Sequence, residues 1–306
     1  MLHGIIDIGS STIRMAIYFI DENHMEMLMK KKHTIGLAAY IRDGCMTRAG
    51  IDKTVEIVEE FKGFLSHFPL TSVHAFTTAA LRNAKNSREA VGEIERRTGI
   101  PIRVISGDEE AYLDYVGAVH NHPAGEGLLV DIGGGSTEIV AFGDEDIRFK
   151  TSLPMGSLSL RSEFVKGFLP TGRECLAMRK AAEERIGRVS ELSSLSSPVI
   201  IGMGGTFKSA CSLYNLLYHK DKNNTVMDRT LLEKMMTTFR GDNPLTEEKS
   251  ILLMKAVPDR MHTILSGLII ALVLSGHFHA GRITYSDTGV REGYIYEEIW
   301  PKYGLK

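Results

Sequence analysis

Two aspartates and a glutamate flank glycine-rich turns in this 306-residue chain. In VDIGGGSTEIV (130–140), Asp131 precedes Gly133, Gly134 and Gly135, and Glu138 follows them. In IDIGSSTIRMAIY (6–18), Asp7 precedes Gly9. The two stretches align without gaps: Asp7 on Asp131, Gly9 on Gly133, Thr12 on Ser136, Arg14 on Glu138. Glycine lets a ligand approach the main chain, and successive N–H groups in such a turn form a concavity for an anion. Ser10, Ser11, Thr12, Ser136 and Thr137 add neutral hydroxyl donors. Carboxylates make little sense against phosphate unless a cation lies between. Asp131 and Asp7, with Glu138 nearby, therefore point to Mg2+, with Mn2+ as its substitute. One such hairpin alone would be an ordinary tight turn. Two matching hairpins, each opened by Asp, point to a ligand.

A third turn, in VIIGMGGTFKSA (199–210), places Gly202, Gly204, Gly205 and Thr206 between a strand-like run and a helical one. Its spacing matches neither the dinucleotide fingerprint nor the P-loop. Arg82 and the pair Glu109–Glu110 are the remaining candidates. A guanidinium can take a phosphate in bidentate fashion, but a helix arginine can equally face solvent. DEE at 108–110 complements the dipole of a helix's first turn, and on the residues alone that role suits both glutamates.

The elements that must position these residues alternate between strand and helix. Val55, Val58, Phe61, Phe64, Leu65 and Phe68 have helical spacing over 53–68. SVHAFTT reads as a strand, EAVGEIERRTG as a helix stopped by Gly99, and PIRVISG as a strand. DEEAYLDYVGAVH reads as a helix with Asp108 as N-cap. Further on come a helix over 173–189, the strand PVIIG, helical runs in KSACSLYNLLY, LLEKMMTTF and ILSGLIIALVLSGHF, the strand RITYSD and a last helix REGYIYEEIW. MKKKH (29–33) reads as a solvated strand end or turn. The pattern is α/β throughout. Two related units are expected, 1–122 and 123–306, each opening with the hairpin, with the last helix (291–306) packing back on the first unit.

Composition excludes several classes. With 43% hydrophobic and 24% charged residues the chain should be globular. A net charge of −2 gives no general attraction for nucleic acid or an anionic membrane, so neither is an expected partner. Cys45, Cys175 and Cys211 form no C-x-x-C motif, no disulfide framework and no Cys-x5-Arg loop. The apolar run 264–274 is too short to span a bilayer and reads as a buried helix. MLHGIIDIGSS lacks a signal-like segment, so the expected compartment is the reducing cytoplasm. A homodimer is compatible with the sequence, which fixes no oligomeric state.

Two D-x-G hairpins and a late G-x-G-G-T turn resemble the actin/Hsp70/sugar-kinase superfamily, whose ribonuclease H-like domains clasp phosphates in a cleft. Within it, the chain resembles the exopolyphosphatase/guanosine-pentaphosphate phosphohydrolase (Ppx/GppA) family. The matching motifs are DIGSSTIRM (7–15), TTAALRNAKN (77–86), ISGDEEA (105–111), VDIGGGSTEIV, GMGGT (202–206) and SDTGVREG (286–293). The chain looks like the short, two-domain members. It departs from the pattern at Ser11, where the family usually has Asn, and at His262, in a segment that usually carries more Arg or an Asp.

The resemblance implies hydrolysis of a terminal phosphoanhydride, from inorganic polyphosphate or, alternatively, from the 5′ end of guanosine pentaphosphate. It implies Glu110 as general base, Asp131 and Glu138 around Mg2+ and the attacking water, and Asp7 completing the wall. Arg82 would neutralise the terminal phosphate. The hydroxyls already named, Gly133–Gly135, Gly204, Gly205 and Thr206 would hold phosphate. Arg291 is left between a ligand role and an ion pair. An ATP-dependent kinase or ATPase is a rival that the EEA and GGGSTE motifs oppose. A non-catalytic sensor of a phosphorylated ligand is a second rival, opposed by the retention of Glu110, Glu138 and Arg82.

Overall fold

A computed structural model describes residues 1–22, 24–120, 125–144 and 146–303. The expected boundary between 122 and 123 falls outside the described residues. In the first half, β1 (Leu2–Ile8), β2 (Thr12–Ile20) and β3 (Met25–Thr34) form an antiparallel meander. A short ribbon follows, β4 (Ile41–Arg42) against β5 (Cys45–Met46). Then β6 (Ser72–Thr77) pairs parallel with β1, and β7 (Ile102–Val104) with β6. The sheet order is β3-β2-β1-β6-β7.

The second half repeats this plan. β8 (Gly127–Ile132), β9 (Thr137–Gly143) and β10 (Asp146–Leu153) form the meander; β11 (Val199–Met203) pairs parallel with β8, and β13 (Arg282–Tyr285) with β11. The order is β10-β9-β8-β11-β13-β12, with β12 (Val226–Asp228) an added antiparallel edge. The internal echo in the sequence is thus an echo of topology, with both D-x-G turns at equivalent places.

The helix Gly107–Val119 joins the two halves. Its Leu113 packs in a cluster with Ile5, Tyr18 and Phe76 of the first sheet. Its Ala111, Tyr115 and Ala118 pack with Leu129, Val140 and Phe142 of the second. Glu110, in its first turn, is thereby carried between the sheets. The short helix Val290–Tyr294 lies against it: a Cβ on Gly293 would come within 1.9 Å of the Leu113 carbonyl oxygen, so only glycine permits this crossing. Beyond it, Ile295 and Ile299 join the cluster of the first sheet.

Several boundaries differ from the sequence reading for local reasons. The first long helix runs Arg48–Leu65, because the Thr47 side chain accepts from the Gly50 N–H and sets the start. The N-cap of Gly107–Val119 is Ser106, not Asp108: the Ser106 hydroxyl oxygen accepts from the Glu109 N–H at 3.1 Å. The last segment is α-helical only over Val290–Tyr294 and continues in wider and then tighter turns. MKKKH takes the first of the two places read for it, the end of a strand, here the edge strand β3. The apolar run is the helix Ile264–His277, buried over 264–275 among the helices Ser157–Phe164, Gly172–Ile186, Gly204–Leu217 and Arg229–Thr238. Among the described residues no helix is long and apolar enough to cross a membrane.

Candidate active site

Both hairpins close with the same hydrogen bond. The Gly9 N–H donates to the Thr12 carbonyl at 3.1 Å, and the Gly133 N–H to the Ser136 carbonyl at 3.0 Å. The two tips touch, with Gly134 against Ser10 and Ser11 and Gly135 against Ser10 and Ala79. Between them lies a cavity of about 450 Å³. Asp7, Ser10, Ser11, Thr12, Glu110, Asp131, Gly133, Gly134, Ser136, Gly204 and Gly205 are on its wall. Three proposed phosphate holders are not. Gly135 is covered by the other tip, the Thr137 hydroxyl donates to the Met155 carbonyl at 2.6 Å, and the Thr206 hydroxyl to the Ile132 carbonyl at 2.7 Å.

The carboxylates fall into pairs across the strands. Asp7 faces Arg14 in register, and the Arg14 Nη1 donates to Asp7 Oδ2 at 3.1 Å. At the equivalent place in the second sheet Asp131 faces Glu138, so two acids replace an ion pair. Asp131 Oδ1 is buried without a hydrogen-bond partner. Burial pushes the Asp131 carboxyl up to about 6, against the pull of Arg14 and Arg260. Glu138 is 1% exposed, off the cavity wall, and accepts from the Ser152 hydroxyl at 2.7 Å. Burial and the neighbouring Glu110 and Asp131 hold it well above the usual carboxylate range.

Glu110 is buried at the cavity wall. Arg82 Nη1 donates to its Oε2 at 2.5 Å and to the Ile105 carbonyl at 3.2 Å. Arg82 therefore turns to Glu110 and lies off the cavity wall. Burial raises the Glu110 carboxyl to about 7; Arg82 pulls it down, while Asp131 and Asp7 push it up. Glu109 instead pairs with Arg103 at 2.6 Å on the surface side.

The third turn meets Asp131 directly. Gly204 has φ +76, and a Cβ there would lie 2.0 Å from Asp131 Oδ1. The helix Gly204–Leu217 thus starts against the carboxylate, with Gly204 and Gly205 on the cavity wall. Among the described residues no three Asp, Glu, His or Cys side chains converge to cage a metal. Mg2+ commonly takes one or two carboxylates and completes its shell with water and phosphate oxygens. The orphaned Asp131 Oδ1 fits that sparser mode; Asp7 shares its charge with Arg14, and Glu138 is engaged by Ser152.

Residues 16–300 match the Ppx/GppA phosphatase family. The chain belongs to that family. A relative named "Putative exopolyphosphatase" from Haemophilus influenzae is 28% identical over 95% of this chain and 89% of its own length. One named "Guanosine-5'-triphosphate,3'-diphosphate pyrophosphatase" from Aeromonas hydrophila is 28% identical over 96% of this chain, which spans 59% of that relative. The crystal structure of the Aquifex aeolicus Ppx/GppA family member superposes with a TM-score of 0.77 at 28% identity, over 99% of this chain and 98% of that one. The fold is that of the Ppx/GppA family, mixed α/β with two sheets of repeated plan.

This Ppx/GppA chain carries functional groups that sequence reasoning did not single out. Arg14, Arg260 and Lys208 reach the cavity wall with Arg291, which has no ion pair among the described residues. Arg14 was visible as the residue aligned with Glu138, a charge reversal in an otherwise repeated motif. Arg260 sits in PDRMHTILSG, where His262 drew attention instead. The His262 ring is off the wall, 6.5 Å from that of Phe168, while Arg260 is against Gly205. Asp114, one turn after Glu110, is fully buried, and burial and the nearby Asp131 hold its carboxyl well above the usual range. A lone Asp in an amphipathic run gave no signal for that.

Proposed function

We propose that the chain is a phosphoanhydride hydrolase, an exopolyphosphatase, that releases the terminal phosphate of inorganic polyphosphate through water activated by Glu110. The observation that carries this is Glu110 itself: a carboxyl at the cavity wall, raised to about 7 and gripped by Arg82. A base poised near neutral pH can take a proton from water and still exist in its charged form. Arg82 orients that base. The terminal phosphate rests on the main chain of the two tips, with Ser10, Ser11, Thr12 and Ser136 donating. Arg14 and Arg260 face the charge that develops there. Asp131, with Asp7 across the cavity, would hold Mg2+, which when bound neutralises phosphate charge and polarises the anhydride. Glu138 sits behind Asp131, off the cavity wall and bound by the Ser152 hydroxyl, so it supports Asp131 rather than facing substrate.

Guanosine pentaphosphate is the second reading, favoured by the Aeromonas relative's name and its coverage of 96% of this chain. Its 5′-triphosphate offers the same terminal anhydride. We divide the chain into two phosphate-clasping domains at 122/123 and place it in the cytoplasm, where three free cysteines persist. Phosphate release measured side by side on polyphosphate, guanosine pentaphosphate and ATP, with and without EDTA, tests the reading. Mg2+-dependent release from polyphosphate exceeding that from ATP supports it. Release from ATP alone overturns it in favour of an ATPase.

A further inference from the structure

A second cleft opens beside the catalytic cavity. Its volume is about 1150 Å³, and the two share Lys208, Tyr285 and Asp287 on their walls. The side cleft continues along the helix Gly204–Leu217, where Ser212 and Asn215 follow Lys208 on one face. Its defining feature is uncompensated positive charge. Lys208, Lys220, Lys222 and Lys255 line it, and Asp287 is the one carboxylate among its described lining residues. None of the four lysines has an ion pair among the described residues. In the lysine run of β3, on the catalytic cavity wall, Lys31 pairs with Glu60 and Lys32 with Asp259, and only Lys30 has no ion pair among the described residues.

The loop that carries Lys220 and Lys222 is pinned. Asn215 Nδ2 donates to the Asn224 carbonyl at 2.8 Å, and Asn224 Nδ2 donates to Asn215 Oδ1 at 2.7 Å. His219 turns the chain out of the helix with φ 51, just before Lys220. On a chain with net charge −2, unpaired ammonium groups around one hollow raise a local positive potential that a polyanion relieves.

We infer that the side cleft is a second anion-binding subsite, which holds phosphates of the leaving group while the terminal phosphate is cleaved in the catalytic cavity. The inference rests on the hydrolase reading. The shared chemistry is a run of phosphates beyond the reacting one. It can come from an inorganic chain or from the 3′-phosphates of a nucleotide.

The test is a variant with Lys220→Gln, Lys222→Gln and Lys255→Gln together, which leaves Lys208 and the catalytic cavity intact. Kinetics are compared on tripolyphosphate, on polyphosphate of tens of units and on guanosine pentaphosphate. The KM for a substrate that reaches the side cleft should rise roughly tenfold, the size expected for losing three solvent-facing charge contacts. Its kcat should hold, and tripolyphosphate kinetics should stay at the wild-type level, which also reports a folded variant. An effect on long chains alone assigns the subsite to an inorganic chain; an effect on the pentaphosphate alone assigns it to a nucleotide's 3′-phosphates. No change on either, or an equal change on tripolyphosphate, overturns the subsite. If the wild-type protein hydrolyses none of the three, the hydrolase reading fails separately. Calorimetric binding of long polyphosphate to wild type and variant then decides the subsite: weaker binding to the variant supports it, and equal binding overturns it.

Discussion

Glu110 is subject to two opposing forces, and the balance sets its chemistry. Burial disfavours its charge, Arg82 favours it, and burial wins enough to bring the carboxyl to about 7. As the proposed base Glu110 works ionised, so kcat should rise with pH on a limb near 7. Arg82→Ala removes the stabilising cation, so this limb should move to higher pH as kcat falls at neutral pH; a pH–rate profile with an unmoved limb would separate Arg82 from Glu110. Glu109→Gln should leave turnover nearly unchanged, because Glu109 pairs with Arg103 away from the cavity. At this scale the sequence was partly legible. The D-x-G turns could be read because glycine and Asp at fixed spacing leave few alternatives. Glu109 and Glu110 could be told apart only by the family's motif, since both fit a helix start. Arg82 was read as a phosphate ligand, but its partner, Glu110, lies 28 positions further on, and no local pattern records that contact.

At the scale of elements, the helix Gly204–Leu217 depends on one residue. Gly204 adopts a left-handed conformation that costs other residues about 1–2 kcal/mol. A side chain there would also strike the orphaned Asp131 Oδ1. Gly204→Ala should therefore lower Tm and weaken Mg2+ binding, measured by calorimetry; retention of both would show that Asp131 can move without loss. The repeated hairpins predicted the repeated sheets because topology followed the same D-x-G punctuation. β10 was not anticipated, and β3 only at its MKKKH end. β3 carries Lys30, Lys31 and Lys32 on an edge, where charge is tolerated, and so lacks the apolar run that marks an interior strand. The start of Gly107–Val119 was misplaced because Ser106 and Asp108 are both good caps, and only the backbone path decides between them.

Across the whole molecule, the raised carboxyls make the fold sensitive to pH. The unfolded chain releases the Asp131 and Glu110 protons from about 3.8 and 4.5, while the folded chain keeps them to about 6 and 7. Their contribution to stability is thus fully present below the unfolded values and lost as pH rises through the folded ones. Relative to wild type, the Tm of Glu110→Gln should increase as pH rises from about 4 to about 8. A decrease would mean that the ion pair with Arg82 outweighs burial. The last segment ties both halves through the first-sheet cluster, and Ile295→Ala should cost about 2–5 kcal/mol by chemical denaturation. The two-sheet plan was legible from the internal echo, whereas the bridging helix was not: its two faces bury in different clusters, which periodicity alone cannot distinguish. In the proposed hydrolase these halves meet to aim one buried carboxylate at a water beside a terminal phosphate. Single-turnover phosphate release from polyphosphate by wild type and Glu110→Gln, with binding of the same chains measured alongside, isolates that carboxylate. Glu110→Gln should keep binding and lose at least about 100-fold in rate. Near wild-type release by Glu110→Gln would remove Glu110 from the chemistry.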